Sequence, residues 1–196
     1  MAINSIHIPK QTGVIDFPPC EVTWTPLPSD LRKYLGPDHS IFSSYYEKLP
    51  SLKTLEAFRE KYPSRSEINN LLTYGYIKKR KVKKANALIK ENYRLNPTHL
   101  LSQINYADLC LRQNALADIP KIKIPKKMHI SEFRAYTILM ANYHLKLGEK
   151  EKAEAYHYLV HRLDPNHIST QHLKTKVYPI SYGQVWKIRL KKLLRL

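Results

Sequence analysis

The chain of 196 residues (23.0 kDa) is 43% hydrophobic and 25% charged, the make-up of one packed domain or of a domain with an appended segment. Lys and Arg number 33 against 16 Asp and Glu, a net charge of +17, which favours acidic partners: proteins, nucleic acid or anionic lipid. Two cysteines, Cys20 and Cys110, exclude a disulfide framework and a four-thiolate zinc site.

Residues 1–45 read as a Pro-rich N-terminal arm. The first 66 residues hold eight of the 13 prolines and a charge of only 8 − 7 = +1. Proline fixes φ and removes a backbone donor, so the stretch 17–28 should hold no helix. Trp24 is large for a free tail and is expected to anchor the arm. From about residue 50 the period becomes helical: Leu52, Leu55 and Phe58, then Leu71, Leu72 and Tyr76, then Leu88, Ile89 and Tyr93. A further helix is expected through Leu101, Ile104, Leu109 and Leu111. Its successor should be interrupted by Pro120 and Pro125, leaving 119–127 as a basic extended crossover. The stripes resume with Ile138, Leu139, Tyr143 and Leu147, and again with Tyr156, Leu159 and Leu163.

Residues 167–196 are expected to form a basic helical extension. Trp186, Leu190, Leu193 and Leu194 recur at helical spacing, with Lys187, Lys191 and Arg195 on another face. Such a helix caps a helical body, or lies against an anionic membrane or an acidic groove. The basic charge belongs to the last two thirds of the chain: 13 − 5 = +8 in 67–133 and 12 − 4 = +8 in 134–196. No apolar run approaches the ~18 residues of a transmembrane helix. Residues 1–11 lack the pattern of a cleaved leader. A soluble cytoplasmic protein is therefore expected.

Internal recurrence sets the expected fold. Tyr93-Arg94-Leu95-Asn96-Pro97 parallels His161-Arg162-Leu163-Asp164-Pro165, with the prolines 165 − 97 = 68 residues apart. Pro63 lies 97 − 63 = 34 residues earlier, and Ser131 occupies the fourth place in that frame. Small residues, Ala85 and Ala153, stand twelve positions before the strong markers. This pattern resembles the tetratricopeptide repeat, a 34-residue helix-turn-helix unit. Leu72, Thr73, Tyr76, Ala85, Ile89 and Pro97 match its motif positions in one unit. Met140, Ala141, His144, Ala153, His157 and Pro165 match them in another. Two further units are degenerate, and the resemblance covers about residues 50–166 of a repeat region expected over 46–166. It implies an all-α fold: a short solenoid of stacked hairpins.

By resemblance, such a solenoid binds a peptide or helix of another protein on its inner face, formed by the first helix of each unit. The inward positions would be Asn70 and Tyr74, then Asn105, Asp108 and Arg112, then Asn142 and Lys146. Asn can satisfy backbone groups of an extended ligand, and Arg and Lys can receive carboxylates. The subtype that clamps the C-terminus of heat-shock chaperones is disfavoured, since among its clamp positions only Asn105 matches. The expected function is a non-enzymatic protein–protein interaction module for an acidic segment. Two alternatives stand: a basic helical repeat for nucleic acid, with 14 Tyr as stacking surfaces, and a secretion chaperone or secreted effector, by fold-level analogy.

The densest charge run is Lys78, Lys79, Arg80, Lys81, Lys83 and Lys84, broken only by Val82. It has the form of a nuclear-import signal or of a nucleic-acid or lipid patch, but it falls at a turn between two helices of a repeat, where an exposed charged corner is the expected reading. His157 and His161 stand at i, i+4, but no acidic residue lies between them, so no protease metal motif is present. No metal site and no cofactor is expected. No phosphate loop, nucleophile elbow or paired carboxylate appears, so no enzymatic activity is expected.

Overall fold

A computed structural model describes residues 5–11, 13–24 and 50–179. It is mostly helical with one small sheet. The chain divides into two compact units. The first comprises Met1–Lys10 and Pro18–Glu132, and the second Gln11–Phe17 and Phe133–Leu196.

In the first unit, β1 (Ser5–Ile8), β2 (Cys20–Thr23) and β3 (Lys127–His129) form a sheet in that order. The first pair is antiparallel, with Ile6 opposite Val22; the second is parallel, with Val22 opposite Met128. Cross-strand partners share a face, so Ile6, Val22 and Met128 make one apolar row. Glu21 and Lys127 occupy the other face and approach to 3.4 Å. The all-α expectation is corrected here. Parts of the expected arm and the end of the expected crossover pair with each other, which satisfies backbone groups that an isolated extended segment would leave to water.

Among the described residues four helices follow in this unit: α1 (Leu52–Lys61), α2 (Ser66–Lys78), α3 (Val82–Leu95) and α4 (Leu100–Arg112). Ser51 caps α1, its Oγ accepting from the Thr54 N–H at 3.1 Å. Leu55, Leu72, Tyr76, Ala85 and Leu88 form a buried cluster, with Leu52 and Leu71 packed against it. A Cβ on Gly75 would come within 2.7 Å of Leu52 Cδ2, so a residue without a side chain lets α1 lie close on α2. After α4 only a single 3-10 turn forms, at Leu116–Asp118. Pro120 and Pro125 follow it and admit no helix.

The second unit contains most of α5 (Ile130–Lys146), then α6 (Lys150–Leu163) and α7 (Ile168–Val177). Phe17 is fully buried, with Phe133 and Tyr136 at ring distances of 5.9 and 6.1 Å. His144 stacks on Tyr156 at 5.5 Å. Its Nδ1 meets Glu149 Oε2 at 2.6 Å.

The helix boundaries keep a common phase. Helices α2, α4 and α5 end at Lys78, Arg112 and Lys146, with 112 − 78 = 34 and 146 − 112 = 34. Two residues beyond each end the backbone turns left-handed, at Arg80 (φ 56°), Asn114 (φ 62°) and Gly148 (φ 77°). In each turn the next N–H returns to a carbonyl five residues back: Lys81 to Tyr76 at 2.8 Å, Ala115 to Cys110 at 2.9 Å and Glu149 to His144 at 2.9 Å. This is the hydrogen bond that closes a helix end through a left-handed residue. The proline markers behave alike as well. Tyr62, Asn96 and Asp164 precede Pro63, Pro97 and Pro165 and stop their helices with φ −134°, −133° and −145° and ψ 64°, 61° and 63°. Proline excludes the α conformation from the residue before it. Ser131 departs from this series, because it lies inside the first turn of α5.

Candidate binding surface

The expected groove residues meet internal partners. On α2 and α4, the Asn105 Nδ2 donates to Asn70 Oδ1 at 2.9 Å. Asn92 Nδ2, from α3, donates to the same oxygen at 3.0 Å. Asn70 therefore spends its acceptor inside the fold, and its Nδ2 reaches Ser66 Oγ at 3.3 Å. Behind this pair lies a buried polar cluster. The hydroxyls of Ser66 and Ser102 are 2.5 Å apart, and Asn92 Nδ2 lies 3.1 Å from Ser102 Oγ. Asn69 and Asn96 both donate to Asn92 Oδ1, at 3.3 and 3.0 Å.

The next residues along α4 form a pair of their own. Arg112 Nε donates to Asp108 Oδ2 at 2.9 Å, one helical turn apart and half exposed. Tyr74 lies beneath Lys78, whose Nζ stands 5.2 Å from the ring centroid. The first unit thus joins Asn70 to Asn105 and Asp108 to Arg112. Asn142 and Lys146 belong to α5 in the second unit. There Asn142 Nδ2 donates to the Ile138 carbonyl at 2.9 Å, and its Oδ1 accepts from Lys176 at 3.2 Å. Lys146 is exposed at the end of α5.

The run of cations occupies the corner between α2 and α3. Lys78 ends α2, Lys79, Arg80 and Lys81 form the turn, and Lys83 and Lys84 lie in the first turn of α3. All six are exposed. The tail 181–196, expected to be a basic helix, lies outside the described residues.

Sequence reasoning missed two constellations. One is the Asn and Ser cluster. Its signal was Asn92, a polar residue on the stripe of Leu88 and Ile89, where an apolar one would continue the face. The other ties each helix pair at its open end. Asn96 donates to the Ser64 carbonyl at 2.9 Å in the first unit. Asp164 pairs with the buried Arg134 in the second. The residue before the marker proline thus carries a side-chain bond as well as a backbone stop. His157 and His161 stack at 5.4 Å, and His157 Nε2 and His161 Nδ1 are buried without a hydrogen-bond partner. Burial first, then the neighbouring His161 and Lys174, hold the His157 pKa below the ordinary histidine value. Among the described residues no group of three potential ligands gathers around a metal position. No helix among them is long and apolar enough to cross a membrane.

No protein-family model matches the chain, and neither a curated protein nor a solved structure is significantly similar to it.

Proposed function

We propose that this chain is a non-enzymatic interaction module: tetratricopeptide-like hairpins that form a short solenoid and dock an acidic segment of another protein along their first helices. The observation that carries this reading is the shared phase of helix ends and left-handed turns at 80, 114 and 148. Equal units stacked in register present equivalent side chains at regular intervals, which suits an extended ligand. Asn105, Asp108 and Arg112 fall at i, i+3 and i+7 on α4, one helical face. Asn105 would meet backbone groups of the ligand, and Arg112 its carboxylates.

Asp108 regulates that surface in this reading. It holds the Arg112 guanidinium, so an incoming carboxylate must compete with it. An exposed pair of this kind is worth at most ~1 kcal/mol. Asp108→Asn is therefore expected to tighten binding of an acidic segment up to about fivefold, while Arg112→Glu abolishes it.

Nucleic-acid binding is less well supported. Tyr93 and Tyr106 stack on each other at 4.3 Å and 7°, which occupies ring faces that a base would need. Co-purification from cell extract with mass spectrometry, with and without nuclease, separates the readings. A nuclease-resistant protein partner that is released by salt and lost in Arg112→Glu is the expected result. Recovery of nuclease-sensitive material alone, or of nothing at low salt, would sink the proposal.

A further inference from the structure

The corner between α2 and α3 combines two features that charge alone does not require. Residues 77–84 are all exposed. Six of the eight are Lys or Arg, and the other two are the apolar Ile77 and Val82, 47% and 52% exposed. Among the described residues no carboxylate pairs with Lys79, Arg80, Lys81, Lys83 or Lys84. The corner is nevertheless ordered: the Arg80 N–H donates to the Ile77 carbonyl at 2.9 Å, and the Lys81 N–H to that of Tyr76 at 2.8 Å. Lys84 spreads its ammonium over the Tyr76 ring at 5.7 Å. Among the described residues Val14, Leu95 and Tyr158 are exposed apolar side chains too, but no comparable run of cations adjoins them in the sequence.

We propose that this corner docks on the surface of an anionic lipid bilayer, the lysines and Arg80 meeting headgroup phosphates and carboxylates while Ile77 and Val82 enter the boundary between headgroups and acyl chains. The two apolar side chains decide between candidate polyanions. A nucleic-acid backbone offers them no apolar surface, and leaving them in water forfeits their transfer out of it. A bilayer accepts both kinds of group at the depths they need. A projecting turn also fits a fluid surface, whose lipids rearrange around it. Each basic residue near an anionic leaflet adds about fivefold to partitioning, as ~1 kcal/mol converts. The contact shares α2 with the proposed groove, Lys78 lying over Tyr74, but it does not rest on that reading.

The test uses the full chain and flotation with phosphatidylcholine vesicles, with or without about a quarter phosphatidylserine. Binding to the anionic vesicles alone is expected. The double variant Ile77→Asn, Val82→Asn should bind about tenfold more weakly, and Lys79→Glu, Lys83→Glu more weakly still. These positions are exposed, so both variants should keep the wild-type circular dichroism. Ile77→Cys carrying an environment-sensitive dye reads insertion directly, because Cys20 and Cys110 are buried. A blue shift with anionic vesicles, and none with single-stranded RNA, is expected. Flotation unchanged in either double variant would overturn the proposal, since another segment would then carry the binding. A dye that does not shift on the vesicles, or that shifts equally with RNA, would overturn it too.

Discussion

Asn92 is 2% exposed and places its two amide hydrogens among Ser66, Asn70 and Ser102. Removing that amide takes one hydrogen bond each from Ser66, Asn70, Ser102, Asn69 and Asn96, at a position where little water can replace it. Asn92→Ala should therefore destabilise the protein by about 2–3 kcal/mol in urea denaturation. His157 has the opposite character, because its Nε2 already lacks a partner. Its pKa and that of His167 lie below histidine's ordinary 6.5 in the folded chain, His157 through burial, then His161 and Lys174, and His167 through burial and then Arg134. Below that value the unfolded chain takes up protons that these folded imidazoles refuse. Stability should fall as pH drops through about 6.5 and level off once pH passes the depressed folded values. His157→Phe keeps the aromatic volume and removes the titration. Thermal melts of this variant should depend less on pH between about 5 and 7 than those of the parent chain. The thiols are quiet for a related reason. Burial pushes Cys20 up to about 11 and raises Cys110 as well. Alkylation at neutral pH should be slow until the chain unfolds.

Helix ends, rather than helix interiors, carry the regularity of this protein. Arg80, Asn114 and Gly148 hold the same left-handed conformation with different chemistry. Glycine adopts it freely, asparagine with little cost, and arginine with a clash between Cβ and the backbone. Arg80→Gly should stabilise by about 0.5–1 kcal/mol and Asn114→Gly by less, whereas Gly148→Ala should destabilise by about 1 kcal/mol. A different ordering in denaturant titrations would mean that the three turns are not equivalent. The proline stops and the corner at 78–84 were legible in the sequence, because both depend on residues close together in the chain. The strands were not. Each is three or four residues long, too short for a period to stand out. Ile6, Ile8, Cys20 and Val22 do alternate, but the same pattern is compatible with an unpaired arm.

At the scale of the whole molecule, charge acts in two directions. A net +17 repels itself, so added salt should raise the melting temperature between about 20 and 150 mM ionic strength. Association with an acidic partner or an anionic bilayer should weaken over the same range. Opposite responses of folding and binding to one titration would separate the chain's own charge repulsion from the attraction it exerts. The buried core is indifferent to both, since the transfer of Leu55, Leu72 or Val160 out of water depends little on ions at these concentrations.

Part of the candidate site could be read in advance and part could not. That Asn105, Asp108 and Arg112 lie on one face follows from helical spacing alone, and so does the placing of the cations at a corner. That Arg112 is already held by Asp108, and that Asn70 turns its acceptor to Asn92 and Asn105, depends on rotamers and on the distance between helices. By itself the sequence determined that helices stop before Pro63, Pro97 and Pro165 and that none crosses Pro120 and Pro125, because proline restricts the backbone within a residue or two. The tertiary structure alone decided that Val22 pairs with Ile6 on one side and with Met128 on the other, and which amide satisfies which hydroxyl. Such contacts join residues as many as 106 positions apart, and their free energy exists only once packing has brought the partners within reach.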